Sequence, residues 1–280
     1  MVLPAYTDTE LVDVAQKLPA GPRLVVELGQ AIRNPHVDAA EITALLRQDT
    51  TLVARIIRMA NSPYYARSEP VGSIEEALAC IGFREAHRMV GAVAATQLSE
   101  QKLRLYGMEG ATLRANALFV AVIMEELAEP AGEEPRTCYT VGLLRSIGKM
   151  ALEQLAHDDD TVATFAASGE LSLEAWETRN WGMTNGEVAE RVLQYWRLPS
   201  ETVSAIRHHY HPEQKHNPVI HLLSLAAGAA EDRFYGLPGE VGLWQRGPEI
   251  FAKAGVTDRD FQIASERAQR TFLRLIGALA

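Results

Sequence analysis

Apolar residues recur along this chain with the period of an α-helix. Leu45, Leu46, Leu52, Val53, Ile56, Ile57 and Met59 follow one another at spacings of three and four, which gathers them on one helix face. Start signals accompany the pattern. Asp38 with Glu41, Ser73 with Glu76 and Thr184 with Glu187 read as capping boxes, in which the first side chain accepts from a free amide and the second reaches back. Pro22 and Pro199 suit first turns, where no amide donor is needed. Asn34-Pro35, Gly82, Gly107, Gly169 and Pro212 read as stops. Period-two alternation is nearly absent, and Asn185-Gly186 lies between helical patterns. The chain is therefore expected to be all-α, with roughly a dozen helices and essentially no sheet.

Two breaks divide it. The polar, glycine-bearing stretch at 100–110 separates two apolar helical blocks, and the Gly/Pro-rich stretch 236–248 precedes a last helical segment. The expected organisation is an N-terminal helical lobe over 10–105, a core over 106–235 and a C-terminal helical extension over 236–280. Arg267, Arg270 and Arg274 fall on one face of that extension, either as a solvated face or as a docking stripe for an acidic partner.

Composition narrows the function classes. Of 280 residues, 47% are hydrophobic and 22% charged, with a formal net charge of -9. That balance disfavours a nucleic-acid binder relying on a bulk positive field. Cys80 and Cys138, the only cysteines, make no disulfide or metal framework and read as buried thiols in a cytoplasmic protein. The first residues carry no signal-peptide pattern, and no apolar run is long enough to span a membrane. No nucleophile elbow, phosphate-binding loop or dinucleotide fingerprint occurs, and no cofactor is expected. Ser146 has no evident base partner. His208, His209, His211, His216 and His221 form a histidine-rich stretch, and His208 with His211 can share a helix face for zinc or nickel; a structural role is the plainer reading. His157-Asp158-Asp159-Asp160 lacks the glycine turn of a calcium loop.

Several motifs fall in a familiar order. Ala60-Asn61-Ser62, Tyr64-Tyr65, Pro70, Ser73-Ile74, Ala77 and Ile81-Gly82 are followed by LLRSIGKMAL at 143–152 and by GEVAERVLQYWRLPSETVSAIRHHYHP at 186–212. Over roughly residues 10–235 the chain resembles HDOD domains, relatives of the HD metal-dependent phosphohydrolases. The resemblance implies an HD-like helical core and, in HD enzymes, a His-Asp pair that binds a divalent cation just before Ile-Gly-Lys. Here that pair is Arg145-Ser146, ahead of Ile147-Gly148-Lys149. A guanidinium cannot ligate a cation. The remaining ligand positions correspond to Asn116, Asn185 and Ala227, and His209 matches a family histidine. No metal is expected. The reading is a degenerate site in a non-catalytic bacterial signalling adaptor, whose partner is a regulatory protein of a two-component or cyclic-dinucleotide pathway. Alternatively, Arg145 and Lys149 neutralise a nucleotide or phosphate ligand in a sensor pocket, the competing readings of that pair being a salt bridge to a nearby Glu or a snorkelling surface Lys. A residual phosphohydrolase using the histidines is the second alternative. Asn61, Tyr64 and Tyr65 form an aromatic loop that either pins itself to its own domain or meets a partner.

Overall fold

The structure is a computed structural model, and it describes residues 7–19, 21–34, 36–65, 69–99, 102–156, 162–169, 172–214, 217–244 and 246–279. His157 to Asp160 and His216 lie outside them. Among the described residues are fifteen α-helices and two short 3-10 turns. The only β-type pairing there is one bridge between Leu103 and Met108.

The helices ahead of the first break are α1 (Asp8–Lys17), α2 (Gly21–Arg33), α3 (Ala39–Leu46), α4 (Thr50–Ala60) and the long α5 (Ile74–Ser99). Gly82 breaks α5 with φ 77 and ψ 164, a left-handed conformation that glycine adopts without penalty. The caps vary on the expected theme. Thr184 and Glu187 form a complete capping box. Asp38 caps the amide of Glu41. Ser73 accepts from the amide of Glu76, but the Glu76 carboxylate takes the amide of Gly72 instead. Cys138 is buried, whereas Cys80 is exposed. The stripe of buried residues on this part of α5 is Ile74, Ala77 and Leu78, and Cys80 falls off it.

The core is organised around α6 (Gly110–Ala131), which is buried nearly all round. It packs against α5, α7 (Pro135–Leu144), α13 (Pro218–Asp232) and α15 (Asp258–Leu279). The intervening helices are α8 (Ile147–Leu155), α9 (Phe165–Ser168), α10 (Leu173–Trp181), α11 (Asn185–Tyr195), α12 (Ser200–His208) and α14 (Pro248–Ala254). Both breaks read from the sequence send residues into the core, the second through Leu237 and Glu240. Leu103, Leu105, Tyr106 and Met108 are buried, so the first is an apolar turn rather than a polar joint. The C-terminal extension folds back onto α6, where the Phe272 ring lies 5.6 Å from Phe119 and 4.8 Å from Tyr235.

The lobes are tied together by buried polar contacts. The Glu125 carboxylate on α6 accepts from Arg84 at 2.9 Å and from Arg88 at 2.6 Å, both on α5. Within the N-terminal helices, His87 on α5 is buried and shares a 3.2 Å hydrogen bond with the Val25 carbonyl of α2. No helix among the described residues is long and apolar enough to cross a membrane.

Candidate functional site

Four helix ends converge on the place where Arg145-Ser146 stands. Arg145 closes α7, Ser146 stands just ahead of α8 without a side-chain cap bond, Asn185 opens α11 and His209 closes α12. Asn116 comes from the middle of α6. The backbones meet closely, because a Cβ on Gly148 would sit 1.8 Å from the Asn185 carbonyl oxygen. Gly148 to Ala is accordingly expected to cost about 3 kcal/mol, since backbone, unlike a side chain, cannot repack around the methyl. Urea unfolding checks this; an unchanged midpoint would contradict the contact.

At the centre is Glu240, from the stretch 236–248. Arg145 Nη2 donates to its Oε2 at 2.7 Å, Lys149 pairs with its Oε1, and the Tyr210 hydroxyl donates to Oε1 at 2.7 Å. Arg145 Nε also donates to Asn116 Oδ1 at 3.0 Å, and Asn116 Nδ2 donates to the Tyr235 carbonyl at 2.6 Å. Trp244, four residues beyond Glu240, stacks on His209 and Tyr210 and lies 5.5 Å from the Arg145 guanidinium. A second carboxylate, Glu177, sits behind. It accepts from the Asn185 amide at 2.7 Å, from Asn185 Nδ2 at 3.0 Å and from the Tyr106 hydroxyl at 2.8 Å. Lys149 and Glu240 are at most 1% exposed. The site is closed over its own charges.

The electrostatics follow from that closure. Burial pushes the Glu240 carboxyl up, but Arg145 and Lys149 outweigh it and hold the group well below the usual carboxylate range. Burial lowers the Lys149 ammonium, and Glu240 opposes the shift. Burial raises Glu177, with the Asn185 hydrogen bonds acting against it. His209 is taken down to about 3, first by burial and then by Arg145, so its ring is neutral. Its Nδ1 lies 2.7 Å from the Ile206 carbonyl, which can only accept, so the proton belongs on Nδ1. The Nε2 lone pair then faces Arg145 Nη1 at 3.4 Å.

Among the residues singled out in the sequence, Asn116, Arg145, Lys149 and His209 join one cluster, with buried Ser146 between its helices. Asn185 joins through Glu177. His208 is only half-buried on α12, and His211 pairs with Glu174 at 2.7 Å. Glu240, Glu177, Tyr106 and Trp244 were not anticipated. Glu240 is the one charged residue between Phe234 and Gln245, a signal that a Gly/Pro-rich stretch disguised as a linker.

The aromatic loop rests on the molecule's own surface, with Tyr65 half-buried and Tyr64 exposed. Asn61 pairs with both backbone groups of Val71, donating at 2.9 Å and accepting at 2.8 Å. The Tyr65 hydroxyl and Arg274 Nη2 both donate to Glu85 at 2.8 Å, with the guanidinium 5.3 Å from the Tyr65 ring. Tyr64 lies where a Cβ on Gly277 would strike it. The loop thus docks on α15 within the molecule, and Arg274 is committed to that contact. Arg267 and Arg270 remain exposed.

The profile of the HDOD domain matches residues 18–212. The chain belongs to the HDOD domain family. Solved structures share the fold. An HDOD domain protein from Geobacter sulfurreducens aligns over 96% of each chain, at 21% identity and a TM-score of 0.66. A protein provisionally named a phosphohydrolase, from Shewanella amazonensis SB2B, aligns over 97% of this chain and 98% of its own, at 24% identity and a TM-score of 0.68. A signal transduction protein, also named provisionally, from Marinobacter aquaeolei VT8 aligns over 94% of this chain and 58% of its own, at 20% identity and a TM-score of 0.71. An uncharacterised protein of Treponema pallidum (strain Nichols) is 23% identical over 77% of this chain. The matched region covers only 42% of the Treponema protein's length.

A divalent cation of the HD-enzyme kind does not fit the residues of this HDOD chain. Two cationic side chains stand at the centre, Asn116 Oδ1 is taken by Arg145, and Asn185 Nδ2 is turned to Glu177. Among the described residues, no group of three or more His, Cys, Asp or Glu side chains is placed to hold a metal ion.

Proposed function

We propose that this HDOD chain is a non-catalytic signal-transduction module, a pseudoenzyme that acts by binding a regulatory protein. The observation that carries this reading is the replacement of a cation site by a buried Arg145–Glu240–Lys149 cluster, in which the carboxylate is consumed by the protein's own cations. Water activation and phosphate polarisation by a metal both need an open coordination position, and a cluster of satisfied ion pairs offers none. HDOD family membership and a fold neighbour named as a signal transduction protein favour a signalling role. The pathway, two-component or cyclic-dinucleotide, rests on the family resemblance alone. The sensor alternative is weakened because Arg145 and Lys149 already have a carboxylate partner.

The test has two arms. Phosphomonoesters and cyclic dinucleotides, offered with Mn, Fe, Mg or Ni, are expected to show no turnover above the metal alone. In the second arm, affinity capture from the native host is expected to retain a regulatory protein whose binding survives metal chelation. Turnover that disappears in Asn185→Ala or His209→Ala would establish the hydrolase reading instead.

A further inference from the structure

Away from the closed site, a groove runs between the lobes where α2 faces the junction of α11 and α12. One cavity of about 450 Å3 and a smaller one beside it share Val26, Gln30 and Leu198. Four arginines line the pair: Arg23, Arg33, Arg136 and Arg197, against a single acid, Glu27. Arg23, Arg33 and Arg197 are exposed and form no ion pair with a described residue. Arg136 reaches Glu134 only at 3.4 Å, and its Nε is buried with no hydrogen-bond partner. In a chain of net charge -9, this is a local reversal of sign, and a concave surface concentrates such a field.

Arg197 adds an independent observation. It follows α11, where the Arg197 amide donates to the Gln194 carbonyl at 2.9 Å and the Leu198 amide to the Leu193 carbonyl at 3.0 Å. This is the two-bond helix stop whose left-handed position glycine normally fills. Here an arginine holds it at φ 58, a conformation that costs a residue with a Cβ and that marks functional positions when it persists. The strained backbone puts a guanidinium on the groove that glycine would not supply.

We propose that this inter-lobe groove is the docking site for an acidic segment of the partner protein, with the arginines gripping carboxylates in bidentate fashion. The inference rests on the adaptor reading and names the chemistry of its partner. Because the groove is built from α2 of one lobe and from α7, α11 and α12 of the other, its occupant reads their relative position.

The probe is a fluorescently labelled decaglutamate peptide, titrated by anisotropy against the full chain at low ionic strength. Saturable binding is expected, weakening at least tenfold as salt rises to physiological strength. Arg197→Gly is expected to weaken binding about fivefold while the melting temperature holds or rises, since glycine relieves the left-handed strain. Arg23→Glu with Arg33→Glu, both exposed, is expected to abolish binding in a folded protein. The groove is overturned by absence of saturable binding at low salt, by equal affinity in all variants, or by tighter arginine-dependent binding of a single-stranded oligonucleotide. The peptide reads the groove whether or not the natural partner is in hand. Its failure removes this site and leaves the adaptor reading to its own capture and turnover assays.

Discussion

Glu240→Ala is expected to lower the stability of the folded protein by about 3–5 kcal/mol, the usual cost of removing one partner from a buried ion pair. The reason is the stranded charge. Arg145 and Lys149 are both buried, and alanine would leave two cations without their shared carboxylate. Tyr210 would lose its acceptor as well. In a chain of this size the loss corresponds to a fall in melting temperature of about 10 °C. Glu240→Gln keeps shape and hydrogen bonding and is expected to cost less. Replacing the charges together, as Glu240→Leu, Arg145→Met and Lys149→Met, is expected to recover part of the loss, because desolvation of the charges is then removed too. Urea unfolding of the three variants checks the order. A single mutant as stable as the parent would show that the cluster is not held as described.

Stability is also expected to fall steeply as pH drops from 7 towards 5. His209 and His87 are buried neutral, with ring pKa values held at about 3 and about 4 against an ordinary 6.5. Burial is the first cause for both. The unfolded chain therefore takes up protons on these rings near pH 6.5 while the folded chain does not. Stability from both is present above 6.5 and is lost progressively as pH falls towards the folded values, with a slope of up to about 2.7 kcal/mol per pH unit for two protons. Glu240 acts with the same sign lower down, because its depressed carboxyl loses its contribution once the unfolded carboxylate range is reached. Glu125 and Glu177, both raised by burial, act against it near that range. Denaturant midpoints at pH 7, 6 and 5 measure the slope, and His87→Leu is expected to roughly halve it. A flat profile across that interval would mean that neither ring is buried neutral.

The helical architecture was legible because helix signals are local. Capping pairs, helix stops and a spacing of three and four are read within a turn or two of chain. The place of the buried cluster was legible in the same way, since Arg145 and Ser146 are adjacent and a guanidinium is a cation that needs a carboxylate when buried. What fills the site was not. Glu240 lies 95 residues from Arg145, on a stretch whose glycines and prolines mark a linker in any local reading. Its burial depends on how α13 delivers the chain back over α12, which periodicity does not encode. Tyr106 was hidden likewise, in a turn judged by its polar flanks although Leu103, Leu105 and Met108 are buried with it. The partner stripe shows the converse failure. Arg274 shares a helix face with Arg267 and Arg270, but the loop bearing Tyr65 reaches it and engages its guanidinium through Glu85 and the Tyr65 ring, leaving it half-buried.

The claim on which these points converge is that a buried ion cluster stands where an HD enzyme holds its cation. Metal content of the protein, produced without a tag and analysed for Mn, Fe, Mg, Ni and Zn by plasma mass spectrometry, tests it most directly. Each metal is expected well below one equivalent, and a chelator is expected to leave the melting temperature unchanged. Stoichiometric Mn, Fe or Mg that is lost in Asn185→Ala or His209→Ala would contradict the account.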